Sequence, residues 1–436
     1  MKKTLVALAA LAATSAFAQS SVTMYGTLDL GVTTVNHGLN SDPNSATSMT
    51  LFPGSVASSV GRTTGMASSG LTPSKWGIKG VEDMGSGMKT MFQLESALNL
   101  NWGSNPNGRV NDSLAGSGSV FNSGEGSIQG QMFDREASLG VSGAWGELKG
   151  GRMTTIMADT VGAYDPLRSA YASSPLGYNG GYSGGGFTGE ARWDNSLKYT
   201  KAFGATTLSL NYKTAGTTNG VKQGEAMGAA LEYAQGNYGV KGTWSSNRDA
   251  MSVGNGSAAC TAATGVTCAT TVAAGAPGLK ITFADTNAFA LVGKLTQDKL
   301  TWKGGAQVIT TKNPQNANYD TAANNPAING LPVTTVVTNA YDTSNLTQRM
   351  YWVGANYDMS SQWELSGAMY RRNDSGNGKD GSAATYYGLQ SQYKLSPRTK
   401  WYASYMQSHT TGPTWTTSGA TVPNIVTIST GIVHSF

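Results

Sequence analysis

Val426-Thr-Ile-Ser-Thr-Gly-Ile-Val-His-Ser-Phe436 sets the reading of the whole chain. Val426, Ile428, Thr430, Ile432, His434 and Phe436 share one parity, and the run stops on an aromatic ring. Side chains of an extended strand point alternately to opposite faces, so a period of two marks a strand with one apolar and one polar side. The pattern repeats upstream. In Arg192–Thr200, Trp193, Leu197 and Tyr199 share one face, while Arg192, Asp194, Ser196 and Lys198 share the other. In Thr206–Tyr212, Leu208, Leu210 and Tyr212 alternate with Thr207, Ser209 and Asn211. Beyond the first 18 residues no stretch keeps helical spacing.

Sixteen such segments are expected, near 22–35, 74–82, 88–102, 131–143, 146–154, 191–200, 205–213, 226–234, 237–247, 286–295, 298–311, 347–358, 361–373, 382–395, 398–412 and 423–436. Their connections alternate between short turns and long Gly/Ser/Thr/Asn-rich loops, the longest at 36–73, 155–190, 248–285 and 312–346. In an up-and-down barrel odd connections lie on one side and even ones on the other. Short turns on one side and long loops on the other mark a transmembrane β-barrel. Within lipid every backbone amide needs a partner, so the sheet must close on itself.

Composition agrees. Only 13% of the 436 residues are charged and 39% are hydrophobic, whereas soluble proteins carry roughly 25% charged residues. A wall that is apolar outside and wet inside needs greasy side chains on one face only. Tyr and Trp gather at strand ends, as in Trp76, Trp302, Tyr357, Trp363, Tyr393 and Trp401, where amphipathic rings favour the membrane interface. A soluble β-sandwich or a secreted β-solenoid is the competing architecture. It would use these rings as core or ladder residues.

Residues 1–18 read as a secretory signal: Lys2 and Lys3, an apolar stretch Thr4–Ala13, and Ala16-Phe17-Ala18 before the cleavage site. The barrel is then expected over 19–436, and loss of the two lysines takes the net charge from +5 to +3. Export makes a small loop disulfide between Cys260 and Cys268 reasonable. Two cysteines with no nearby histidine make a poor metal site, and no metal or cofactor is expected.

The strands also carry recognisable sequences. Ser21-Val-Thr-Met-Tyr-Gly-Thr-Leu-Asp-Leu-Gly31, Ser74-Lys-Trp-Gly-Ile-Lys-Gly-Val-Glu-Asp-Met-Gly-Ser-Gly-Met-Lys89 and Phe92-Gln-Leu-Glu-Ser96 resemble the opening strands of the general porins of Gram-negative β-proteobacteria. Phe133-Asp-Arg-Glu-Ala-Ser-Leu-Gly140, Gly146-Glu-Leu-Lys-Gly-Gly-Arg152, Ala163-Tyr-Asp-Pro166, Arg192–Tyr199, Tyr393–Tyr402 and Gly431-Ile-Val-His-Ser-Phe436 follow in that family's order. Lys75 stands where arginine is usual and Pro397 where lysine is common.

The resemblance implies an all-β, sixteen-stranded, antiparallel transmembrane barrel, a homotrimer in the Gram-negative outer membrane among lipid and lipopolysaccharide. It also implies an inward-folded constriction loop at about 155–190. Such a barrel is a water-filled channel for passive diffusion of ions and small hydrophilic solutes. The family's basic wall carries over to Lys75, Arg135 and Arg192, with Arg152 and Lys79 beside them. Phe436 falls at its barrel-closure and assembly signal. Acidic candidates are Glu95 on the third strand and Asp159 and Asp165 on the loop, although Asp165 beside Pro166 also suits a turn. Simple alternation groups Arg135 with Leu139 and Arg152 with Leu148, facing lipid, and a bulge at the strand end is needed to bring Arg135 inward. Four positives against two or three negatives imply a modest anion preference.

An enzyme is not expected. The three histidines, His37, His409 and His434, offer no hydrolase triad beyond His409 with Ser404 or Ser408. The glycine run at 180–189 lacks the setting of a phosphate loop. Scattered lysines and a small net charge disfavour nucleic acid. The alternatives on the same barrel are a channel specific for a sugar or organic anion and a surface adhesin working through 248–285 and 312–346.

Overall fold

The computed structural model describes residues 21–36, 62–101, 132–178, 191–214, 224–257, 266–268, 277–315, 327–328, 331–337, 344–413, 416–417, 420–421 and 424–436. The expected signal 1–18, Cys260 and the loop's end at 179–190 lie outside these residues.

The wall comprises β1 (Ser21–Asn36), β2 (Lys75–Gly85), β3 (Met88–Ala97), β4 (Glu136–Gly143), β5 (Gly146–Thr154), β6 (Arg192–Phe203), β7 (Thr206–Lys213), β8 (Ala226–Gln235), β9 (Tyr238–Ser257), β10 (Pro277–Gln297), β11 (Leu300–Lys312), β12 (Leu346–Asp358), β13 (Trp363–Ser375), β14 (Ala383–Lys394), β15 (Thr399–Thr411) and β16 (Asn424–Ser435). Each strand pairs antiparallel with the next. The circle closes where Thr27–Asn36 of β1 meets Val426–Ser435 of β16. Phe436 completes the seam: its amide donates to the Gly26 carbonyl and the Gly26 amide donates to its own, at 3.1 and 3.2 Å. Gly26 is required here, because a Cβ would meet the Phe436 ring at 2.3 Å.

The periodicity has the expected physical outcome. Met24, Leu139, Phe289, Leu291, Val353 and Leu389 are each more than half exposed, on the outer parity. The opposite parity is polar or covered. At the short-turn rim, Trp145 stacks on Tyr199 at 6.4 Å, Tyr233 tilts against Tyr238 at 5.9 Å and Trp363 meets Tyr393 edge-on at 6.4 Å. This is the aromatic girdle the strand ends imply. Three of the two-residue turns begin with φ near +60° or +50°, at Gly204, Gly236 and Asp298, as tight hairpins require.

Three of the expected long connections contain strand. Much of 248–285 is strand: β9 and β10 run on as a paired hairpin to Ser257 and Pro277, after a register break between Asn247 and Ala250. At about 3.3 Å per residue such strands outrun an apolar band of about 25 Å. The expected loop 312–346 contributes Leu331–Val337, which lies parallel to Leu279–Thr282 of β10 and antiparallel to Val266–Cys268. Arg62–Ser68 returns from the first long loop to pair with Leu30–Asn36 of β1.

Candidate functional site

Residues 155–178 lie against the inner parity of the far wall. Thr155 caps α1 (Ile156–Tyr164), its side chain accepting from the Ala158 amide. Met157, Val161 and Tyr164 of α1 are buried with Val292, Ile309, Met350, Trp352, Tyr370, Tyr386 and Met406. Trp352 Nε1 donates to the Tyr164 carbonyl at 3.1 Å, Asn356 Nδ2 to Pro166 at 2.6 Å, and Ser173 Oγ to Gln390 at 3.1 Å. The Ala172 amide reaches Gly70 at 2.9 Å. The segment thus passes β8 to β14 in turn, leaving the inner faces of β2–β6 opposite it.

Asp165 is the knot of this segment. Its carboxylate is fully buried and accepts from the amides of Leu167 and Ser169, from Ser174 Oγ and from Tyr370 OH at 2.5 Å. Burial pushes this carboxyl above the ordinary aspartate range, while the four donors pull it back. Its place is in a turn bonded to the far wall, and its oxygens do not face the bore. Asp159 on α1 is held by Lys198 of β6, whose Nζ also donates to the Thr154 carbonyl at 3.0 Å.

On the opposite wall the sequence-derived cations gather. Glu95 on β3 takes Lys75 Nζ at 3.0 Å, Arg135 Nε at 2.6 Å and Tyr25 OH at 2.9 Å. Arg152 Nη1 meets Asp194 at 2.6 Å and its Nε donates to the Asp134 carbonyl at 2.6 Å. Arg192 is half-buried beside Arg135, Arg152, Tyr171 and Asp134, and its Nε has no hydrogen-bond partner. Lys79 is exposed on the same inner face, 5.0 Å from the Tyr25 ring centroid.

The parity conflict resolves in two ways. Arg135 precedes β4, which begins at Glu136, so strand alternation does not bind it and no bulge is involved. Arg152 stands opposite a real bulge: Gly151 pairs with Ser196 but Met153 with Trp193, so Asp194 and Asn195 face one residue. Asn195 at φ 50° and Gly151 at φ +129° make the turn, and Ala137 O would lie 2.1 Å from a Cβ at Gly151. The bulge also moves Trp193 off the outer face it was expected to share with Leu197, burying it to 1% exposure.

Asp134, Asp194, Lys198 and Tyr370 were missed by the sequence reading. A usable signal existed for Tyr370, since Trp352, Tyr370, Tyr386 and Tyr402 sit on the polar parity. Large rings facing a wet lumen need something to cover them.

A closed antiparallel barrel with an apolar exterior and a charged inner wall is a transmembrane β-barrel. A family model for Gram-negative porins matches residues 4–413, and the chain belongs to that family. An outer membrane porin protein of Bordetella pertussis is 30% identical over 218 residues, 49% of this chain and 48% of the relative. Outer membrane porin protein 32 of Delftia acidovorans is 30% identical over 245 residues, 54% of this chain and 57% of the relative. These alignments span about half of each relative. Among solved structures, an anion-selective porin from Comamonas acidovorans superposes with a TM-score of 0.65 at 18% identity, over 96% of this chain and all of that one. The loop-deleted OmpT of Vibrio cholerae gives 0.60 at 15% identity, over 96% and 99%.

Proposed function

We propose that the protein is an outer-membrane channel through which ions and small hydrophilic solutes diffuse passively, with a modest preference for anions. The carrying observation is the gathering of Lys75, Arg135, Arg152 and Arg192 on the wall facing residues 155–178. That segment is the constriction, with its remainder to about 190. With Lys79 beside them, five cations there stand against four carboxylates, Glu95, Glu136, Asp134 and Asp194. One surplus charge suits a bias between ions of opposite sign, and diameter sets the size limit. Asp159 belongs to the approach. The name of the Comamonas relative as anion-selective supports the sign, and a solved trimer form of OmpT supports a homotrimer within outer-membrane lipid and lipopolysaccharide.

Residues 1–18 serve as the export signal, and Phe436, at the seam, as the assembly signal. The channel reading predicts liposome swelling with sugars that declines smoothly with solute size, and a zero-current potential of anion sign in a salt gradient. Swelling with one sugar alone would point to a specific channel. A cation-sign potential would overturn the preference.

A further inference from the structure

The inner wall carries three pairs of lysines directly opposite one another across neighbouring strands: Lys149 with Lys198, Lys294 with Lys303, and Lys394 with Lys400. Like charges in register destabilise a sheet. The first pair is neutralised, Lys149 by Glu147 at 2.9 Å and Lys198 by Asp159. The other two pairs have neutral partners. Lys303 Nζ donates to the carbonyls of Ala163 and Asp165 at 2.9 and 3.4 Å, and Lys294 Nζ lies 5.8 Å from the Tyr164 ring centroid. Lys394 donates to the Ser361 carbonyl at 3.2 Å and Lys400 to Gln392 at 2.9 Å.

These four lysines lie near the short turns at 298–299 and 395–398, on the arc from β10 to β15. That is a different wall from the arginines of β4–β6. Arg168 descends from the loop into the middle of this arc and meets Glu364. Lys303 feels Arg168 and Lys294, and Lys400 feels Arg168 and Lys394, so the pairs share one field. Facing carboxylates are few. Glu364 is shared with Arg168, Asp358 stands opposite Glu364 at the rim, and Glu232 is taken by Tyr164 and Lys241. Asp165 is spent on its four donors, and Asp29 on the amides of Leu71 and Thr72 and on Tyr402. Five cations thus answer to Glu364 and Asp358, with Asp165 also acting on Lys303 and Asp29 on Lys400, though each of those two is already bonded elsewhere. Repulsion only partly relieved, and kept at a stability cost, suits a site built for a ligand of opposite charge.

We infer that Lys294, Lys303, Lys394 and Lys400, with Arg168, form a second anion site at the short-turn mouth that holds multivalent oxyanions. Lysines present compact charges without a fixed fork, so valence decides the ligand more than shape does. The inference rests on the channel reading for its use in transport, but binding itself does not require conduction.

The test uses the purified full-length protein in planar bilayers, with tripolyphosphate, citrate or acetate added to one side at a time, and a parallel calorimetric titration in detergent. The expected result is block of the chloride current from the short-turn side, strongest for tripolyphosphate, weaker for citrate and absent for acetate. The paired variants K294Q/K303Q and K394Q/K400Q should each weaken tripolyphosphate block and binding about tenfold, since a highly charged anion loses two nearby positive charges. Both variants should also melt at higher temperature, an effect that loss of a structural contact would not produce. Equal block from both sides, no dependence on valence, or unchanged binding in both variants would overturn the inference. If no current is seen at all, the channel reading fails, and the titration alone then decides: binding lost in the variants supports the site, and absence of binding in the native protein refutes it.

Discussion

Glu95→Gln is the substitution whose effect on conduction can be worked most fully from the structure. The Glu95 carboxylate lies between Lys75 Nζ at 3.0 Å and Arg135 Nε at 2.6 Å. Glutamine keeps the shape but only one acceptor oxygen, so Lys75 and Arg135, which bind different oxygens of the carboxylate, cannot both keep a partner, and one negative charge is lost. The balance of this wall then moves from one surplus positive charge to two. For an ion passing about 8 Å away in water, one elementary charge contributes about 0.5 kcal/mol. Anion and cation shift in opposite directions, so their difference is about 1 kcal/mol, of which about half survives screening at 0.1 M salt. The anion-to-cation permeability ratio should therefore rise about two- to fivefold. The zero-current potential across a chloride gradient reads this ratio, with comigration as a heat-modifiable oligomer showing that the barrel has formed. An unchanged ratio in folded protein, or a move toward cations, would mean that Glu95 does not face the conducting path.

Two further outcomes follow from the fold. The folded-state pKa of Asp165 is raised by burial, so the native protein holds that proton more tightly than the unfolded chain does. Its contribution to stability is complete below the ordinary aspartate value of about 3.9 and is lost as pH rises through the raised value. Asp165→Asn, permanently neutral, should therefore flatten the pH dependence of the melting temperature above about pH 4, and a slope equal to the native one would contradict this. Gly354→Val should prevent folding, because a Cβ there would lie 2.2 Å from Gly367 O. Gly242→Ala, with no atom within 4 Å of the new Cβ, should fold normally; the heat-modifiable band reads both, and equal behaviour of the two would show that close strand approach does not limit the wall.

The sixteen strands were legible because a closed wall between lipid and water imposes parity on every segment, and parity is local. Phe436 beside the first strand followed from closure alone. What escaped depends on two strands or more at once. The Asp194–Asn195 bulge is a mismatch between β5 and β6, visible only in register, and it carried Trp193 inward against its own pattern. The lysine pairs are likewise properties of register, since Lys294 and Lys303 lie in separate segments of the sequence. Arg135 conflicted with alternation because the strand start was placed five residues early, and parity was then extended to a residue outside it. The polar anchors of the loop, Asn356 and Gln390, look like ordinary inner-face residues until the segment that covers them is in place. The extension of β9 and β10 was read as loop because parity loses its meaning where both faces meet water.

The most direct test of the account is a cysteine scan through Leu197–Thr200 of β6 in a protein with Cys260 and Cys268 replaced by serine, using a charged, membrane-impermeant thiol reagent and channel current as the readout. Cysteines at 198 and 200 should react and reduce the current, and those at 197 and 199 should not. Equal reaction at all four positions, or block confined to 197 and 199, would contradict a wall with its apolar face in lipid and its polar face in a conducting bore.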